Sequence, residues 1–514
     1  MIFLYGPPGS GKSTVGRIIA QSLELPFSDL DGEIERQAGF SIPEIFSKEG
    51  EPGFRSRESA ALQAALSSED RVVALGGGAL LNAENRSLVE ACGTVFCLLA
   101  DPQSLLERLS AEAEPRPLLA GGLASNLNAL LVNRKQHYAS FTEQIDTRSE
   151  TPQQTAWQVR VSLGRFRVSG MGTGYDVYAM PGSLEQVGLR FKQLGLSGMA
   201  VVVSDTNIAP IYAAHVQDTL RIADINSQLV VIPAGEANKT MHAVSVLWEA
   251  FLKAGLERGS TVVALGGGVV GDLAGFAAAV FLRGVNWVIL PTTLLAMVDS
   301  SLGGKTGADL PQGKNLVGAF HPPRLVLADP LTLATLPEVE LRSGLAEVVK
   351  HGVIGDPALF ESCQKGWKSV QSDWVDIVRR AMAVKVQVIQ EDPFEKSRRA
   401  ALNLGHTVGH AVEQASGYRL RHGEAVAIGM VAEARLSERL RLAETGLAET
   451  IAETLHGLGL PTEIPTGLNR ELIERAMQVD KKRAGGSVRF ALPVRVGEVR
   501  VGIEIGDLRL EISE

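Results

Sequence analysis

The chain has 514 residues, more than one hydrophobic core usually organises, so we expect two or three domains. With 45% hydrophobic and 21% charged residues, its composition is that of an ordinary globular protein. A net charge of −8 argues against nucleic acid as a general partner.

The cysteines and the apolar runs indicate the compartment. Cys92, Cys97 and Cys363 have neither metal-binding nor disulfide spacing, and their scarcity fits a reducing environment. The first residues pass directly into a strand and a glycine-rich loop, which leaves no room for a signal peptide. No apolar run reaches the length of a membrane span. We therefore expect a cytoplasmic protein without a membrane partner.

Residues 1–165 alternate short apolar runs with helical patterns. The runs IFLYG, VVALG and TVFCLLA read as strands, which predicts a small three-layer α/β unit with a parallel sheet. The stretch at 147–160 is polar where it starts and reads as a helix start or a linker. A short linker within 147–171 would suit two cores that fold independently.

A second α/β region is predicted to begin near Tyr175. Its strand candidates are AVVVSD, LVVIP, TVVALGGG, NWVILP and RLVLAD. From about residue 337 the strand signals stop and amphipathic helices take over. A last apolar stretch, SVRFALPVRVGEVRVGIEI, reads as a terminal hairpin or a β edge.

The heptapeptide VVALGGG occurs twice, at Val72–Gly78 and at Val262–Gly268. The flanking sequences differ, and nothing at the matching offset repeats the glycine-rich loop near the start of the chain. A strand that runs into glycines is what a parallel sheet uses where backbone approaches a ligand. We interpret the repeat as convergence, and therefore predict two sites with two chemistries.

The first site is marked by Gly6–Thr14, which fits G-x-x-x-x-G-K-[ST] between an apolar strand and a helix. Glycines let backbone N–H groups surround phosphates, Lys12 adds a positive charge, and Ser13 can ligate Mg²⁺. The similar GGKTG at 303–307 is not a second phosphate loop, because Asp299 stands where the leading glycine would be.

Two carboxylates follow in Phe27–Asp31. A strand period of two would place Asp29 and Asp31 on one side, one for Mg²⁺ and the other for a substrate hydroxyl. Alone, such a pair is more often a helix cap and turn.

Together with FRSRE at 54–58, the first GGG, RPLL at 116–119 and RKQHY at 134–138, these motifs resemble shikimate kinase along nearly all of residues 1–165. The resemblance implies ATP with Mg²⁺, held at the metal by Ser13 and Asp29, and catalysis by Lys12, Asp31 and the lid residue Arg116. Arg108 is a candidate for adenine contact. The implied ATP-binding residues are Gly9, Ser10, Gly11, Lys12, Ser13, Thr14 and Arg116. The implied shikimate-binding residues are Asp31, Arg55, Gly77 and Arg134.

A second glycine fingerprint, G-x-G-x-x-G, spans Gly266–Gly271 after a strand and before a helix. Alone it is a weak signal. Two other predicted strands end in polar or glycine-rich groups, at Asp205–Asn207 and at Gly235–Lys239. Three such strand ends on one sheet predict a dinucleotide cleft.

Five of the nine histidines fall between residues 321 and 422. His406 and His410 would share one helical face, and His422 opens another segment. Glu347 could complete a set of two imidazoles and one carboxylate with an open position, which is a catalytic zinc arrangement. Periodicity does not decide which histidine pair is used.

The motifs GGGVVGDLAGF, PTTLLAMVDSSLGGKTG, GLAEVVKHG, RRAALNLGHTVGHA and HGEAVAIGM resemble 3-dehydroquinate synthase across residues 172–505. The resemblance implies that Glu347, His406 and His422 hold Zn²⁺ or Co²⁺, with His410 beside the site. It assigns catalysis to Lys350, His410, Asp299 and Lys305. The implied NAD contacts are Asp205, Asn207, Ala234, Gly235, Glu236, Ala237, Asn238, Lys239, Gly268, Val269, Val270, Gly271, Asp272, Thr292, Thr293, Lys305, Lys314, Thr332 and Thr335. The implied contacts with the heptulosonate phosphate substrate are Arg283, Asn315, Lys385, Arg399, Asn403 and Lys482.

The predicted fold class is therefore α/β throughout most of the chain. We expect a phosphate-loop kinase unit at 1–165, a Rossmann-like NAD-binding domain at 166–336 and a mainly helical metal- and substrate-binding domain at 337–514. The resemblance further implies small-molecule substrates, a homodimer formed through the synthase half, and Arg283 lent by the partner subunit.

Two alternatives stay open. The second half could be another sugar-phosphate cyclase or a metal-dependent polyol dehydrogenase, although Lys305, Lys350, Lys385 and Arg399 resemble a phosphate cage that a dehydrogenase would not need. One half could instead be an inactive nucleotide-binding module.

Overall fold

The computed structural model describes residues 1–67, 69–111, 121–483 and 488–505. The chain divides into two compact units, Met1–Leu163 and Gly164–Glu514. Among the described residues, no helix combines the length and the apolar character needed to cross a membrane.

The first unit is built on a five-stranded parallel sheet in the order β2-β3-β1-β4-β5. The three strands expected from the sequence are present. The strands are β1 (Ile2–Tyr5), β2 (Phe27–Asp29), β3 (Val72–Ala74), β4 (Thr94–Leu99) and β5 (Glu143–Asp146). The helices are α1 (Lys12–Leu23), α2 (Leu30–Ala38), α3 (Ile42–Leu66), α4 (Ala83–Cys92), α5 (Pro102–Ser110), α6 (Leu123–Ala139) and α7 (Pro152–Leu163).

Alternate residues of the central strand β1 enter two separate cores. Phe3 and Tyr5 pack on one face of the sheet, while Ile2 and Leu4 pack on the other. Each face is covered by helices, because the parallel connections require crossovers. The predicted three-layer arrangement is confirmed.

The expectation of a linker within residues 147–171 is wrong. Helix α7 buries Ala156 and Val159 in the same core as Ile2 and Leu4, so it is an integral layer of the first unit. The helix ends at Leu163, and the next strand begins at Arg165. The polar residues before Pro152 lead directly into α7. The other interpretation of this stretch, as the start of a helix, is therefore confirmed.

The second unit contains a seven-stranded sheet in the order β6-β7-β14-β11-β10-β8-β9, parallel except for the pair β6 and β7. Its strands are β6 (Arg165–Val168), β7 (Tyr175–Ala179), β8 (Ala200–Asp205), β9 (Ser227–Ile232), β10 (Thr261–Gly266), β11 (Asn286–Pro291) and β14 (Leu325–Ala328). All five strand candidates of this region are confirmed. The region begins at Arg165 rather than near Tyr175.

Two antiparallel hairpins accompany this sheet. One, β12 (Lys305–Leu310) with β13 (Gly313–Phe320), has no counterpart among the sequence-based strands. The other, β15 (Val488–Arg495) with β16 (Glu498–Ile505), is the predicted terminal hairpin.

Helices cover the sheet and then dominate the rest of the chain. The four that lie before residue 337 are α8 (Val187–Gln193), α9 (Ala214–Ile222), α10 (Met241–Lys253) and α11 (Gly268–Val280). The later ones are α12 (Glu338–Gly355), α13 (Pro357–Gln364), α14 (Trp367–Gln371), α15 (Trp374–Glu391), α16 (His406–Ala415), α17 (His422–Arg439), α18 (Leu447–Gly457) and α19 (Arg470–Arg483). The predicted fold class is confirmed, with a hairpin added to its helical part.

Candidate active sites

The loop between β1 and α1 forms the first candidate site. Gly9 and Gly11 have φ values of 78° and 87°, a left-handed region that favours glycine. Lys12 starts α1, and its Nζ donates to the carbonyl oxygens of Gly6 and Pro7 at 3.0 and 2.9 Å. Ser10 is buried within the loop, and Thr14 is exposed one turn into the helix. The loop therefore places N–H groups and an ammonium at a helix N-terminus.

Ser13 and Asp29 meet beside this loop. The Ser13 hydroxyl donates to the Asp29 carboxylate at 2.5 Å. The strand geometry expected for Asp29 and Asp31 is wrong, because Asp29 ends β2 and caps α2, accepting from the Asp31 N–H at 3.3 Å. Asp31 thus lies in the first turn of a helix, so a local cap replaces the strand period of two.

The glycine turn after β3 gathers the predicted shikimate-binding residues. The Gly77 carbonyl oxygen accepts from Arg134 at 2.7 Å, from the Tyr138 hydroxyl at 3.0 Å and from the Tyr5 hydroxyl at 3.2 Å. This carbonyl fixes the Arg134 guanidinium beside the turn.

Arg55 and Asp31 complete the surroundings of the same turn. A Cβ on Gly78 would lie 2.7 Å from an Arg55 nitrogen, and a Cβ on Gly76 would lie 3.0 Å from an Asp31 oxygen. A side chain at either position would push these terminal groups away from the turn. The four predicted residues Asp31, Arg55, Gly77 and Arg134 therefore lie around one turn.

Glu58 is part of this cluster, although the sequence analysis gave it no role. It is buried and accepts from Arg55 at 2.7 Å. Burial raises the pKa of Glu58, and the Arg55 guanidinium opposes that shift. Its position three residues after Arg55, one helical turn away, is the signal that could have found it.

The sequence analysis also gave roles in ATP binding to two further arginines, Arg108 and Arg116. Arg108 donates to the Thr147 hydroxyl and carbonyl at 3.0 and 2.5 Å, so its guanidinium is held by the strand end after β5. Its adenine contact stays a prediction. Arg116 lies outside the described residues, and so does the side chain of Lys482.

In the second unit, three predicted cofactor segments follow neighbouring strands. β8 ends at Asp205, whose carboxylate accepts from the Asn207 N–H at 2.8 Å. The segment after β9 is tied to it, since the Ala234 N–H donates to Thr206 at 3.2 Å. That segment continues through Gly235, Glu236, Ala237 and Asn238 in a short 3₁₀ turn. Because the carboxyl ends of parallel strands share one sheet edge, the three segments lie side by side.

Lys239, Asp272 and Asn315 form a compact polar cluster near that edge. The Lys239 ammonium donates to Asp272 at 2.5 Å and to Asn315 at 2.6 Å. Burial raises the pKa of Asp272 to about 6, although Lys239 opposes the shift. The structure brings these three predicted residues together.

The glycine fingerprint begins helix α11 directly after β10. A Cβ on Gly271 would lie 2.7 Å from Ile289, so glycine permits close packing of helix on strand. Gly268, Val269 and Val270 form the first turn. A Cβ on Gly267 would lie 3.1 Å from Thr293, which places the segment that follows β11 beside the fingerprint. Farther along the edge, Thr335 shares a hydrogen bond with Tyr212 at 2.8 Å, and Thr332 lies one turn before it.

Three helices supply the predicted metal ligands. Glu347 is buried inside α12, while His406 and His422 are the first residues of α16 and α17. A Glu347 oxygen lies 3.5 Å from Nε2 of each imidazole. One donor atom from each of the three residues falls within 4.8 Å of the others. The arrangement has the donor types and spacing of a divalent metal site.

The protonation of this cluster follows from burial and charge. Burial lowers the pKa of His406 to about 3, which favours the neutral imidazole that a metal requires. Burial also acts to lower the pKa of His422, but contacts with Glu347 and Glu413 raise it to about 9. Although burial opposes it, Lys350 with these histidines holds the pKa of Glu347 well below its usual value.

Other groupings share members with this cluster. His410 is exposed one turn after His406, and it forms a metal-capable grouping with Glu413 and His422. Asp299, Glu347 and His351 form a third grouping. The sequence analysis missed Glu413, although it lies seven residues after His406 and therefore on the same helical face.

A buried set of charges joins the metal cluster to Asp299. Lys350 pairs with Glu347, donates to the Leu402 carbonyl at 2.9 Å and lies 3.9 Å from Asp299. Lys385 donates to the Asp299 carboxylate at 2.6 Å. Although burial opposes it, Lys385 and Lys350 hold the pKa of Asp299 below its usual value.

The segment after α15 carries further predicted substrate contacts. Lys305 pairs with Glu395, which also accepts from Asn403 at 3.4 Å. Arg399 is buried and donates to the carbonyls of Pro393 and Gly303. Glu395 had no role in the sequence analysis. Lys305, Arg399 and Asn403 therefore lie on one structured segment and the hairpin beside it.

Two further predictions lie apart from this segment. Lys314 donates to Glu413 at 2.8 Å and lies 3.8 Å from Glu236. Arg283 occupies the turn between α11 and β11 with a φ of 67°, and its role across a subunit boundary stays a prediction.

The folds and sites define a class of protein: a phosphate-loop kinase unit followed by an α/β unit whose helical part holds a two-histidine, one-glutamate cluster. Family models match along both units. The shikimate kinase model matches residues 8–163, and the models for the 3-dehydroquinate synthase N-terminal and C-terminal domains match 229–343 and 344–483.

Curated relatives agree with the family models. The 3-dehydroquinate synthase of Xanthomonas campestris pv. campestris is 48% identical over 352 residues, covering 66% of this chain and 95% of the relative. That of Symbiobacterium thermophilum is 47% identical, covering 64% of this chain and 93% of the relative. The chain belongs to the 3-dehydroquinate synthase family and carries a shikimate kinase domain ahead of the synthase. It is a bifunctional enzyme of the shikimate pathway.

Solved structures of two other synthases are similar to this chain over about two thirds of its length. A 2-deoxy-scyllo-inosose synthase complexed with carbaglucose-6-phosphate, NAD⁺ and Co²⁺ has a TM-score of 0.60 at 26% identity, covering 65% of this chain and 94% of that chain. A 2-epi-5-epi-valiolone synthase from Streptomyces hygroscopicus subsp. jinggangensis with NAD⁺ and Zn²⁺ has a TM-score of 0.60 at 29% identity, covering 66% and 94%.

Proposed function

We propose that the first unit transfers the γ-phosphoryl group of ATP to shikimate, giving shikimate 3-phosphate. The observation that carries this proposal is the turn at Gly77, around which Arg55, Arg134 and Asp31 lie. Two guanidinium groups suit a carboxylate, and Asp31 suits a substrate hydroxyl. Lys12 and the loop N–H groups would stabilise the phosphoryl oxygens as charge develops on them.

The same unit offers a place for Mg²⁺. The Ser13 hydroxyl and the Asp29 carboxylate lie 2.5 Å apart at the start of α1, and both are the oxygen ligands that Mg²⁺ prefers. Ser13 and Asp29 would hold the ion beside the ATP phosphates.

We propose that the second unit converts 3-deoxy-D-arabino-heptulosonate 7-phosphate to 3-dehydroquinate and phosphate. The observation that carries this proposal is the cluster of Glu347, His406 and His422 beside a crowd of lysines. The relatives that are 46–48% identical are 3-dehydroquinate synthases, while the cyclases with other substrates are 26% and 29% identical. This difference favours the heptulosonate phosphate over other sugar phosphates.

The residues present fit a divalent metal and NAD. Among the described residues, Oε1 of the buried Glu347 accepts no regular hydrogen bond and faces Nε2 of both imidazoles, so this oxygen suits a cation. NAD would lie along the strand ends that carry Asp205, Glu236 and the start of α11. When bound, NAD accepts and returns a hydride, and Zn²⁺ or Co²⁺ polarises a substrate oxygen.

The chain's own groups would orient the substrate. Lys385 and Arg399 can bind phosphate and carboxylate oxygens, because they combine positive charge with hydrogen-bond donors. The neutral amide of Asn403 can add a further donor. Lys385 fixes Asp299 at 2.6 Å, and Lys350 balances the charge of Glu347. Such a dense set of cations supports a phosphorylated substrate over the polyol of a simple dehydrogenase.

We further propose a homodimer formed through the second unit, in which Arg283 reaches the site of the partner subunit. Light scattering of the purified protein would test the assembly. A monomer with full synthase activity would contradict it.

The function is tested by giving the purified protein each substrate separately. ATP with shikimate should yield ADP, and the heptulosonate phosphate with NAD should yield phosphate. Glu347→Ala should abolish the second reaction and spare the first in excess Mg²⁺. Equal loss of both reactions in a folded variant would contradict the two-site assignment.

A further inference from the structure

Glu413 joins two parts of the second unit that the proposed function uses separately. It lies on α16, seven residues after His406, and its side chain is only 7% exposed. One carboxylate oxygen lies 3.5 Å from Nδ1 of His422, and the other accepts from the Lys314 ammonium at 2.8 Å. His422 belongs to the metal cluster, and Lys314 is a predicted NAD contact.

The two nitrogens of His422 face different carboxylates. Nε2 lies 3.5 Å from Glu347, while Nδ1 lies 3.5 Å from Glu413. A histidine that binds a metal through one nitrogen usually donates its other N–H to a carboxylate, which fixes the ring orientation and makes the ligand more basic. Glu413 is placed to do this for His422.

The other side of Glu413 holds Lys314. This lysine extends from β13, a hairpin strand with no fully buried residue. Its Nζ lies 3.8 Å from the Glu236 carboxylate and 4.7 Å from the centre of the Tyr418 ring. A flexible lysine on such a hairpin needs a fixed partner to present its ammonium in one place. The buried Glu413 supplies that partner.

We propose that Glu413 is a positioning residue that orients His422 for the metal and Lys314 for NAD, and so ties the metal centre to the cofactor cleft. This inference rests on the proposed function. Glu413 itself touches neither substrate nor reacting atoms. Removal of the Glu413 carboxylate should therefore weaken the binding of both the metal and NAD, whereas removal of the Lys314 ammonium should weaken the binding of NAD alone.

The test uses the full chain with Glu413→Gln, Lys314→Met and the control Glu463→Gln, which removes an exposed glutamate paired with Arg435. Metal affinity is measured by competition with a chromophoric chelator, and NAD affinity by calorimetry. Glu413→Gln should lower metal affinity 10- to 100-fold, on the order found for such carboxylate partners. It should also weaken NAD binding several-fold and shift the visible absorption bands of the Co²⁺-loaded protein.

Lys314→Met should weaken NAD binding but keep metal affinity within about twofold, since it leaves Glu413 against His422. The double variant should bind NAD no more weakly than the worse single variant, because both changes break one contact. The control should match the wild type in every measurement.

The possible outcomes distinguish failure of the positioning role of Glu413 from failure of the proposed function. If the wild type binds neither Co²⁺ nor NAD, the proposed function fails. If it binds both and Glu413→Gln binds them equally well with an unchanged spectrum, the positioning role is overturned. A second metal ion per chain that disappears in Glu413→Gln would make Glu413 a ligand together with His410, and would also overturn it.

Discussion

Lys350 follows Glu347 by one turn of α12, and the two side chains form an ion pair that is almost wholly shielded from solvent. Two buried charges of opposite sign are tolerated because each compensates the other, and removal of one leaves the other uncompensated. A bound metal ion would also compensate the charge of Glu347. The stability of the helical region should therefore depend both on this ion pair and on whether the metal cluster is occupied.

We expect Lys350→Met to destabilise the metal-free second unit by about 3 to 5 kcal/mol, the usual cost of breaking a buried pair. A divalent metal should restore part of this loss, because the ion takes over the compensation of Glu347. Urea unfolding with and without Zn²⁺ measures both effects. Lys192→Met, which breaks an exposed pair with Asp224, should change stability by less than about 1 kcal/mol. Equal losses in the two variants would contradict the role of the buried pair.

Lys12→Ala should lower kinase turnover by 100-fold or more, equivalent to about 3 kcal/mol of barrier, because the ammonium stabilises charge in the transition state. The carbonyl oxygens of Gly6 and Pro7 would also lose their donor, so some local loosening of the loop is expected. Phosphate release from the heptulosonate phosphate serves as the internal control and should stay within twofold. A parallel fall in both activities would mean that the variant has lost its fold or that the sites are not separate.

The strands and the glycine turns could be predicted because their signals are local. Apolar runs in β1, β8 and β10 identify strands without knowledge of their neighbours. The strand β6 was missed because it has four residues, two of them arginines. The expected arrangement of Asp29 and Asp31 on one side of a strand was wrong, because the strand ends at Asp29 and α2 begins at Leu30. The Asp29 side chain caps this helix.

The choice between histidine pairs could not be made from periodicity. His406 and His410 are neighbours on one helix, but the partner of Glu347 is set by how α12 packs against α16 and α17. That packing depends on contacts between residues far apart in the chain. Glu413 is different, since its spacing from His406 was visible in the sequence and only its relevance was not.

The pH dependence of stability should reveal the burial of Asp272, because burial raises its pKa more than Lys239 lowers it. Burial raises the pKa of Asp272 from 3.8 to about 6. The folded protein therefore holds a proton that the unfolded chain has lost within this window. Stability from this group is complete below pH about 4, falls as the pH rises to about 6, and then levels off.

Asp272→Asn removes this titration. The variant should become more stable relative to the wild type as the pH rises from 4 to 7, as measured by urea unfolding without NAD. Asp224→Asn is the matched control, because that aspartate is exposed and pairs with the exposed Lys192. Identical pH profiles for the two variants would show that Asp272 does not titrate in this range.

Cutting the chain between the two units should preserve both activities, provided that the cut removes no residue of either hydrophobic core. The substrate of the kinase and the product of the synthase differ by a dehydration and a reduction, so direct transfer between the sites would serve no purpose. The core of the first unit includes Ala156 and Val159 of α7, and the second sheet begins at Arg165. A cut between Leu163 and Gly164 leaves each core whole.

We therefore expect fragments 1–163 and 164–514 to fold and to turn over at nearly the rates of the parent chain, measured as ADP formation and phosphate release. A kinase fragment that ends at residue 151 is the matched control. It lacks α7, one of the two helices that share a core with Ile2 and Leu4, and so exposes part of one face of the sheet. It should therefore aggregate or lose activity. If the 1–163 fragment is as inactive as the shorter one, and mixing with 164–514 does not restore it, the first unit depends on covalent attachment to the second and the independence of the two units is wrong.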